Sequence, residues 1–193
     1  TIYAYNNGGC PFLSFTPERD MDMPRCQQYS DSSLQDIAKR IKPGDVLFLA
    51  SLRLPRFVDQ WAYFGDRQHE NILFSNHAEK GRERTVSYAK LALKPFVDKG
   101  VYIVFEAPKP LFKIPVYRCA DWFNKNNPIC KGGDLISRRV IERNRAPILS
   151  SYTELSKSVP LDVWDPLPVL CDKTSCSAYK NGRPLFFDGD HLS

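Results

Sequence analysis

An aspartate and a histidine stand three positions apart near the end of the sequence, at Asp188 and His191. At this spacing the carboxylate can accept a hydrogen bond from one ring nitrogen of the histidine, which leaves the other nitrogen to act as a base. An acid that orients a base supplies two members of the triad of a serine hydrolase. The alternative is a charged surface loop, because these two residue types often fall at this spacing by accident.

The segments around this pair resemble a known family of hydrolases. Residues 188–193, Asp-Gly-Asp-His-Leu-Ser, are similar to the closing block of the SGNH/GDSL hydrolase superfamily, in which Asp-x-x-His supplies the acid and the base. Residues 170–188, with Leu-Cys-Asp, Ser-Cys and Asn-Gly-Arg-Pro-Leu-Phe-Phe-Asp, resemble the periplasmic SGNH domain fused to membrane acyltransferases that O-acetylate bacterial surface polysaccharides. Gly-Cys-Pro at residues 9–11 follows that family's order as well.

The resemblance implies roles in an oxyanion hole for two further residues. In the superfamily a glycine after the second strand donates its backbone N–H to the oxyanion, and this role falls on Gly9, with Gly8 as the neighbouring alternative. A residue without Cβ lets the backbone approach a tetrahedral intermediate closely, although a tight turn uses the same freedom. The second residue is Arg53, where the fused acyltransferase domains often carry an arginine and typical members an asparagine. Its guanidinium can hold an oxyanion or a sugar oxygen, or else pair with a carboxylate such as Asp59.

The nucleophile is the main departure from the family. There the serine belongs to a Gly-Asp-Ser block after the first strand, and no Gly-Asp-Ser occurs in these 193 residues. Ser14 and Ser51 are weak substitutes, and Ser193 is too close to His191 along the chain. We therefore expect residues 1–193 to form a single SGNH-like domain that lacks its first strand, with the nucleophile serine, and its last helix. A catalytically inactive protein is the alternative.

The elements that must position these residues alternate between strands and helices. Residues 46–50 and 101–105 are continuous apolar runs, typical of strands covered on both faces, and residues 1–5 and part of 159–170 predict two more strands. A capping-box pattern at residues 32–35 predicts the start of a helix with a buried stripe that includes Leu34 and Ile37. Val86, Ala89 and Leu93 predict a second helical stripe. Residues 55–82 are irregular, and residues 135–155 are predicted to be helical in two pieces broken at Pro147.

This alternation predicts an α/β fold with a parallel sheet. Together with the resemblance it predicts a three-layer α/β/α sandwich with a mostly parallel sheet, the flavodoxin-like fold of SGNH proteins. Ligands of such sheets bind outside the carboxyl ends of the strands. We expect Gly9, Arg53 and the loop with Asp188 and His191 to converge there.

The cysteines indicate an oxidising compartment. There are six, at positions 10, 26, 119, 130, 171 and 176, and the sequence does not choose among their 15 pairings. We expect disulfides rather than six reduced thiols, and with the resemblance this predicts a periplasmic or other extracytoplasmic protein tethered to the inner membrane. No Cys-x-x-Cys occurs and there are only three histidines, so neither a metal site nor another cofactor is predicted. Because no signal peptide or membrane span is present, we expect a mature or excised piece.

The charge distribution argues against a nucleic-acid-binding protein. The net charge is +5, and the 27 basic residues are scattered among acidic ones instead of forming a stripe. Such a surface is well solvated and mildly favourable to an anionic glycan or a lipid headgroup.

The resemblance predicts an O-acyltransferase, most simply an O-acetyltransferase, that modifies a cell-surface polysaccharide by a Ser-His-Asp mechanism. The partners it implies are an acyl donor delivered by a membrane acyltransferase domain in the same polypeptide and a polysaccharide or lipid-linked glycan acceptor. Two alternatives remain open. One is a free-standing carbohydrate acetylesterase, and the other is a catalytically inactive glycan-binding module.

The compartment prediction is testable on the purified protein. We expect a thiol titration of the denatured, unreduced protein to find few free thiols, because paired cysteines do not react. Titration after reduction is the control and should find all six. Six reactive thiols without reductant would contradict the prediction.

Overall fold

The computed structural model describes residues 1–6, 10, 24–50, 66–124, 126–189 and 191–192, with the backbone alone at residues 66–69. Gly9 and Arg53 lie outside the described residues. The chain divides into two compact units. Unit 1 comprises Thr1–Leu52, Asn76–Glu106 and Ile148–Trp164. Unit 2 comprises Arg53–Ser75, Ala107–Pro147 and Asp165–Ser193.

The described residues form six α-helices and seven short strands. The helices are α1 Pro24–Arg40, α2 Asp66–Phe74, α3 Asn76–Asp98, α4 Val116–Ala120, α5 Arg138–Ser156 and α6 Leu167–Leu170. The strands are β1 Val46–Leu49, β2 Tyr102–Glu106, β3 Leu135–Ser137, β4 Leu161–Trp164, β5 Ser175–Ser177, β6 Tyr179–Lys180 and β7 Arg183–Pro184. Within this part of the chain, no helix is both long and apolar enough to cross a lipid bilayer.

Unit 1 is built on a parallel sheet with the strand order β1-β2-β4. On the central strand β2, Ile103 pairs with Leu47 of β1, and Phe105 pairs with Val163 of β4. Phe105 is fully buried, as expected for a central strand covered by neighbouring elements. The predicted α/β fold with a parallel sheet is confirmed.

The helix predicted around Val86, Ala89 and Leu93 is confirmed as part of α3, and all three side chains are buried. Gly100 follows this helix with a φ of +78°, a conformation that favours glycine, and it leads the chain into β2. The sequence therefore predicts the buried face of this helix, the turn and the strand, whereas the helix starts at Asn76, within the stretch predicted to be irregular.

The prediction that β1 is covered on both faces is wrong. Val46 is 58% exposed and Phe48 47% exposed, whereas Leu47 between them is buried. Successive side chains of a strand point to opposite faces, so only one face of β1 is covered. An apolar run does not distinguish these two cases.

The strand predicted at residues 1–5 is also wrong, because residues 1–6 have no strand structure. The segment is held instead by side-chain contacts with α1. The hydroxyl of Tyr5 donates to Asp36 at 2.6 Å, and the guanidinium of Arg40 lies 5.3 Å from the ring centroid of Tyr3. Hydrogen bonds from Arg40 and then Tyr5 lower the pKa of Asp36.

Helix α1 begins at Pro24, eight residues before the predicted cap at Ser32. Proline suits the first helical position, since its φ is already helical and its missing N–H has no partner there in any case. The Ser32 hydroxyl donates back to the carbonyl of Tyr29 inside the helix instead of capping it. The buried residue of α1 is Cys26, which forms a disulfide with Cys10.

Two further segments are more regular than predicted. Of the stretch 55–82 predicted to be irregular, residues 55–65 lie outside the described residues, and residues 66–82 are helical in α2 and the start of α3 apart from a bend at Ser75. Helix α5 continues through Pro147 and does not break there. A proline inside a helix removes one hydrogen bond, but Arg145 and Ile148 beside it are both buried, and this packing keeps the helix continuous.

Unit 2 has its own hydrophobic core and two disulfides. The antiparallel pair β3–β5 and the hairpin β6–β7 lie in this unit, and the hairpin turns at Asn181 and Gly182, both with positive φ as a two-residue hairpin requires. The core residues are Phe112, Ile114, Val116, Cys119, Ile141, Leu167, Cys176, Ala178 and Phe186. The predicted disulfides are confirmed for all six cysteines, and in unit 2 they join Cys119 to Cys130 and Cys171 to Cys176.

Arg145 is the largest fully buried side chain among the described residues, at 2% exposure. Its Nη2 lies 2.8 Å from Oδ1 of Asp165, which also accepts a hydrogen bond from the backbone N–H of Leu167. Within the described part of the chain, Nε and Nη2 make no well-directed hydrogen bond. The charge of this guanidinium is therefore balanced by Asp165.

We expect Asp165→Ala to lower the free energy of unfolding by up to about 3 kcal/mol, because it leaves a buried guanidinium without its carboxylate. Asp98→Ala is the matched control, since it removes the carboxylate of the exposed pair with Lys94 and should cost less than about 1 kcal/mol. Adding Arg145→Met to Asp165→Ala should recover part of the loss. Equal denaturation midpoints for Asp165→Ala and Asp98→Ala would contradict this account.

Candidate active site

The loop of residues 186–192 in unit 2 carries the aspartate and the histidine. Phe186 at its start is fully buried and packs edge-on against Phe112, with ring centroids 4.9 Å apart. Phe186 also forms an antiparallel bridge with Leu192 at the other end. The loop is therefore closed by backbone pairing and anchored to the core of unit 2.

Gly189 attaches the middle of this loop to the chain at Phe112. Its carbonyl accepts a hydrogen bond from the backbone N–H of Phe112 at 2.8 Å. A Cβ added at Gly189 would lie 2.5 Å from the carbonyl oxygen of Phe112, closer than real Cβ contacts come. The two backbones approach so closely that only glycine fits at this position.

The loop brings the side chains of Asp188 and His191 together. Oδ2 of Asp188 lies 2.7 Å from Nδ1 of His191, and Oδ1 accepts the backbone N–H of His191 at 2.9 Å. The backbone N–H of Phe187 donates to the carbonyl of His191 at 2.7 Å, which ties the two sides of the turn together. Asp188 is 8% exposed, whereas the side chain of His191 is 41% exposed.

This geometry suits general acid–base chemistry. With a proton on Nδ1 donated to the carboxylate, Nε2 is the basic nitrogen of His191, and the buried carboxylate stabilises the imidazolium that forms when Nε2 takes a proton. The exposed fraction of the imidazole gives a reacting hydroxyl access to it. The hydrogen bond expected from the spacing is present, and the catalytic role of both residues stays a prediction.

Aromatic residues flank the loop. The ring of Phe187 stacks on that of Tyr117 with centroids 5.6 Å apart, and the N–H of Tyr117 donates to the carbonyl of Phe187 at 3.1 Å. Next to Tyr117, the carbonyl of Val116 accepts the hydroxyl of Tyr179 at 2.9 Å. Burial raises the pKa of Tyr179.

The other predicted site residues cannot be placed against this loop. Gly9, Arg53, Ser14 and Ser51 lie outside the described residues, so the expected convergence of Gly9 and Arg53 with the loop stays a prediction. Among the residues that are described, no group of three His, Cys, Asp or Glu side chains is arranged to hold a metal ion.

Comparison with protein families gives one match over the whole chain. The family is described as "SGNH domain (fused to AT3 domains)", and its model covers residues 1–193. The chain belongs to this family of SGNH domains fused to acyltransferase domains. Neither the curated proteins nor the solved structures gave a match. Membership confirms the predicted family and α/β fold class, and supports esterase- or acyltransferase-type chemistry in general.

Sequence reasoning missed the residues that hold the pair in place. Gly189 lies between the two residues of interest, and its position beside an aspartate marks a turn, but nothing local indicates that its partner is Phe112. Nothing in the sequence alone identifies apolar residues such as Phe112 and Phe186 as part of a functional site. Their contribution becomes visible only when the distant segments meet.

Gly189→Ala tests whether the close approach to Phe112 positions the pair. We expect it to lower esterase- or acyltransferase-type activity at least about tenfold, because the loop must shift to relieve a 2.5 Å contact. Gly182→Ala is the control, because its added Cβ meets nothing within 4 Å. An alanine at this positive φ lowers the stability of the protein by roughly 1 kcal/mol but does not contact the loop of residues 186–192. Full activity of a folded Gly189→Ala variant would contradict the positioning role.

Proposed function

We propose that this chain is the SGNH part of an extracytoplasmic O-acyltransferase, most simply an O-acetyltransferase, that modifies a cell-surface polysaccharide. The observation that carries the proposal is the hydrogen bond of 2.7 Å between the buried carboxylate of Asp188 and the imidazole of His191. It occurs in a chain whose family is fused to acyltransferase domains. The acid–base chemistry that this pair can carry out and the fusion of the family to acyltransferase domains point to the same class of reaction, acyl transfer.

The proposed reaction has two acyl transfers through a serine ester. His191 takes the proton of the serine hydroxyl at Nε2 while the serine oxygen attacks the acyl carbonyl of the donor, and Asp188 holds the imidazolium. The tetrahedral intermediate collapses, the donor's leaving group departs with that proton, and the serine carries the acyl group. A sugar hydroxyl then loses its proton to His191, attacks the ester, and leaves with the acyl group as the serine recovers its proton.

The oxyanion of each tetrahedral intermediate needs donors. In this proposal the backbone N–H of Gly9 and the guanidinium of Arg53 supply them, by resemblance to the family's order of motifs. Backbone donors fixed before the reaction stabilise the developing charge at little reorganisation cost, and an arginine adds a charged fork of N–H groups.

The serine itself lies outside residues 1–193 in this proposal, because these residues contain no Gly-Asp-Ser. Residues 1–193 then form one SGNH-like domain completed by a first strand with the serine and by a last helix. The acyl donor arrives through a membrane acyltransferase domain of the same polypeptide, and the acceptor is a polysaccharide or a lipid-linked glycan. The three disulfides support an extracytoplasmic, periplasmic location, and the fusion of the family to acyltransferase domains supports tethering to the inner membrane.

Two observations favour other functions. The exposed imidazole of His191 admits water as well as sugar, which favours a carbohydrate acetylesterase that uses the same residues. The missing Gly-Asp-Ser favours a glycan-binding module without chemistry. Product analysis separates the first from the transferase, since an esterase releases free acid and adds no acyl group to the glycan.

His191→Ala and Asp188→Asn test the proposal in the natural protein that carries residues 1–193. We expect His191→Ala to lower acyl transfer by several orders of magnitude, and Asp188→Asn by roughly 10⁴-fold, because each removes or misorients the base. Transfer of radiolabelled acetyl groups to the purified polysaccharide measures both effects.

His77→Ala is the control, since it removes an exposed histidine of α3 in unit 1 and should retain full activity. Wild-type rates in the His191→Ala variant would contradict the assignment of the base.

A further inference from the structure

Tyr117 and Phe187 form an exposed aromatic pair at the site loop. Their rings stack with an interplanar angle of 29° and centroids 5.6 Å apart. Tyr117 is 53% exposed and Phe187 is 52% exposed. Large apolar residues that stay exposed as a contiguous pair beside a functional loop are candidates for ligand contact.

The pair is held rigidly by its backbone and by unit 2. The N–H of Tyr117 donates to the carbonyl of Phe187, and the N–H of Phe187 donates to the carbonyl of His191. Tyr117 also lies in α4, whose Cys119 is joined to Cys130. The backbone that carries the two rings is held in place, and the rings pack on each other, so part of their contact surface is organised before a ligand binds.

The aromatic pair lies close to His191, whose imidazole is the reacting group of the proposed function. Phe187 precedes Asp188 directly, and consecutive Cα atoms are about 3.8 Å apart. The backbone N–H of Phe187 donates to the carbonyl of His191 at 2.7 Å, so the two residues are close in space, and both side chains are partly exposed. A ligand that spans several linked units can therefore contact the aromatic pair and His191 together.

We propose that Tyr117 and Phe187 form a stacking subsite for a sugar ring of the glycan acceptor, an inference that rests on the proposed function. The faces of a pyranose carry C–H groups that pack on the electron-rich face of an aromatic ring. The size of the pair fits one or two sugar rings, and the hydroxyl of Tyr117 adds a hydrogen-bonding group at the edge.

Phe187→Leu is the test variant, because it keeps apolar bulk and removes the flat ring. We expect it to raise the KM for the glycan acceptor roughly five- to tenfold, the loss expected for one aromatic contact. The change should fall on the KM for the acceptor more than on kcat at saturating acceptor. Phe187→Tyr should keep the wild-type KM, and Tyr88→Leu, which removes an exposed tyrosine of α3 in unit 1, is the control.

A binding measurement makes the outcome independent of catalysis. The probe is the source organism's own surface polysaccharide, cut to oligosaccharides and stripped of its acyl groups with mild base, titrated into the natural protein and monitored by calorimetry. We expect Phe187→Leu and Tyr117→Leu to weaken binding by a similar factor. Wild-type affinity and wild-type acceptor KM in both folded variants would overturn the subsite. Glycan binding that depends on Phe187 in a protein that never forms an acyl-serine would instead overturn the proposed function and leave the subsite standing.

Discussion

The two oxygens of the Asp188 carboxylate have separate tasks, and the site depends on that division. Oδ1 accepts the backbone N–H of His191 and fixes the turn, while Oδ2 accepts the imidazole Nδ1 and fixes the ring. Only 11% of the Asp188 side chain is exposed, which would penalise a lone carboxylate, but two N–H donors offset the cost of removing it from water. The same carboxylate thus fixes both the loop and the orientation of the imidazole.

The surrounding fold makes this arrangement rigid. Gly189 lies against the backbone of Phe112, and Phe186 is buried in the core of unit 2. The two disulfides of that unit join cysteines that are 11 and 5 positions apart in the sequence. In the chain-entropy account such links stabilise by restricting the unfolded chain, by about 2–4 kcal/mol each. A unit with short strands and long connections can in this way hold a pair of side chains at hydrogen-bonding distance.

The features that depend on local sequence were predictable, and those that depend on distant contacts were not. The spacing of Asp188 and His191 predicts their hydrogen bond, and Val86, Ala89 and Leu93 predict the buried face of α3, because each pattern acts within a turn or two. The start of α1 was misplaced because a capping pattern at Ser32 outweighed the proline that begins the helix. Residues 1–5 have strand-forming side chains, yet they have no strand structure and are held by contacts with α1. The close backbone contact between Gly189 and Phe112 joins two segments that are distant in the sequence, and no local pattern predicts it.

In the proposed function, His191 activates a serine that lies outside residues 1–193. The most direct measurement is labelling of the natural protein with a serine-directed fluorophosphonate, followed by intact-mass and peptide mass spectrometry, with His191→Ala treated in parallel. The account predicts one adduct on a single serine beyond these residues, formed at a rate that falls by orders of magnitude in His191→Ala. No adduct, or labelling of equal rate in the two proteins, would leave Asp188 and His191 without a nucleophile and would contradict the account.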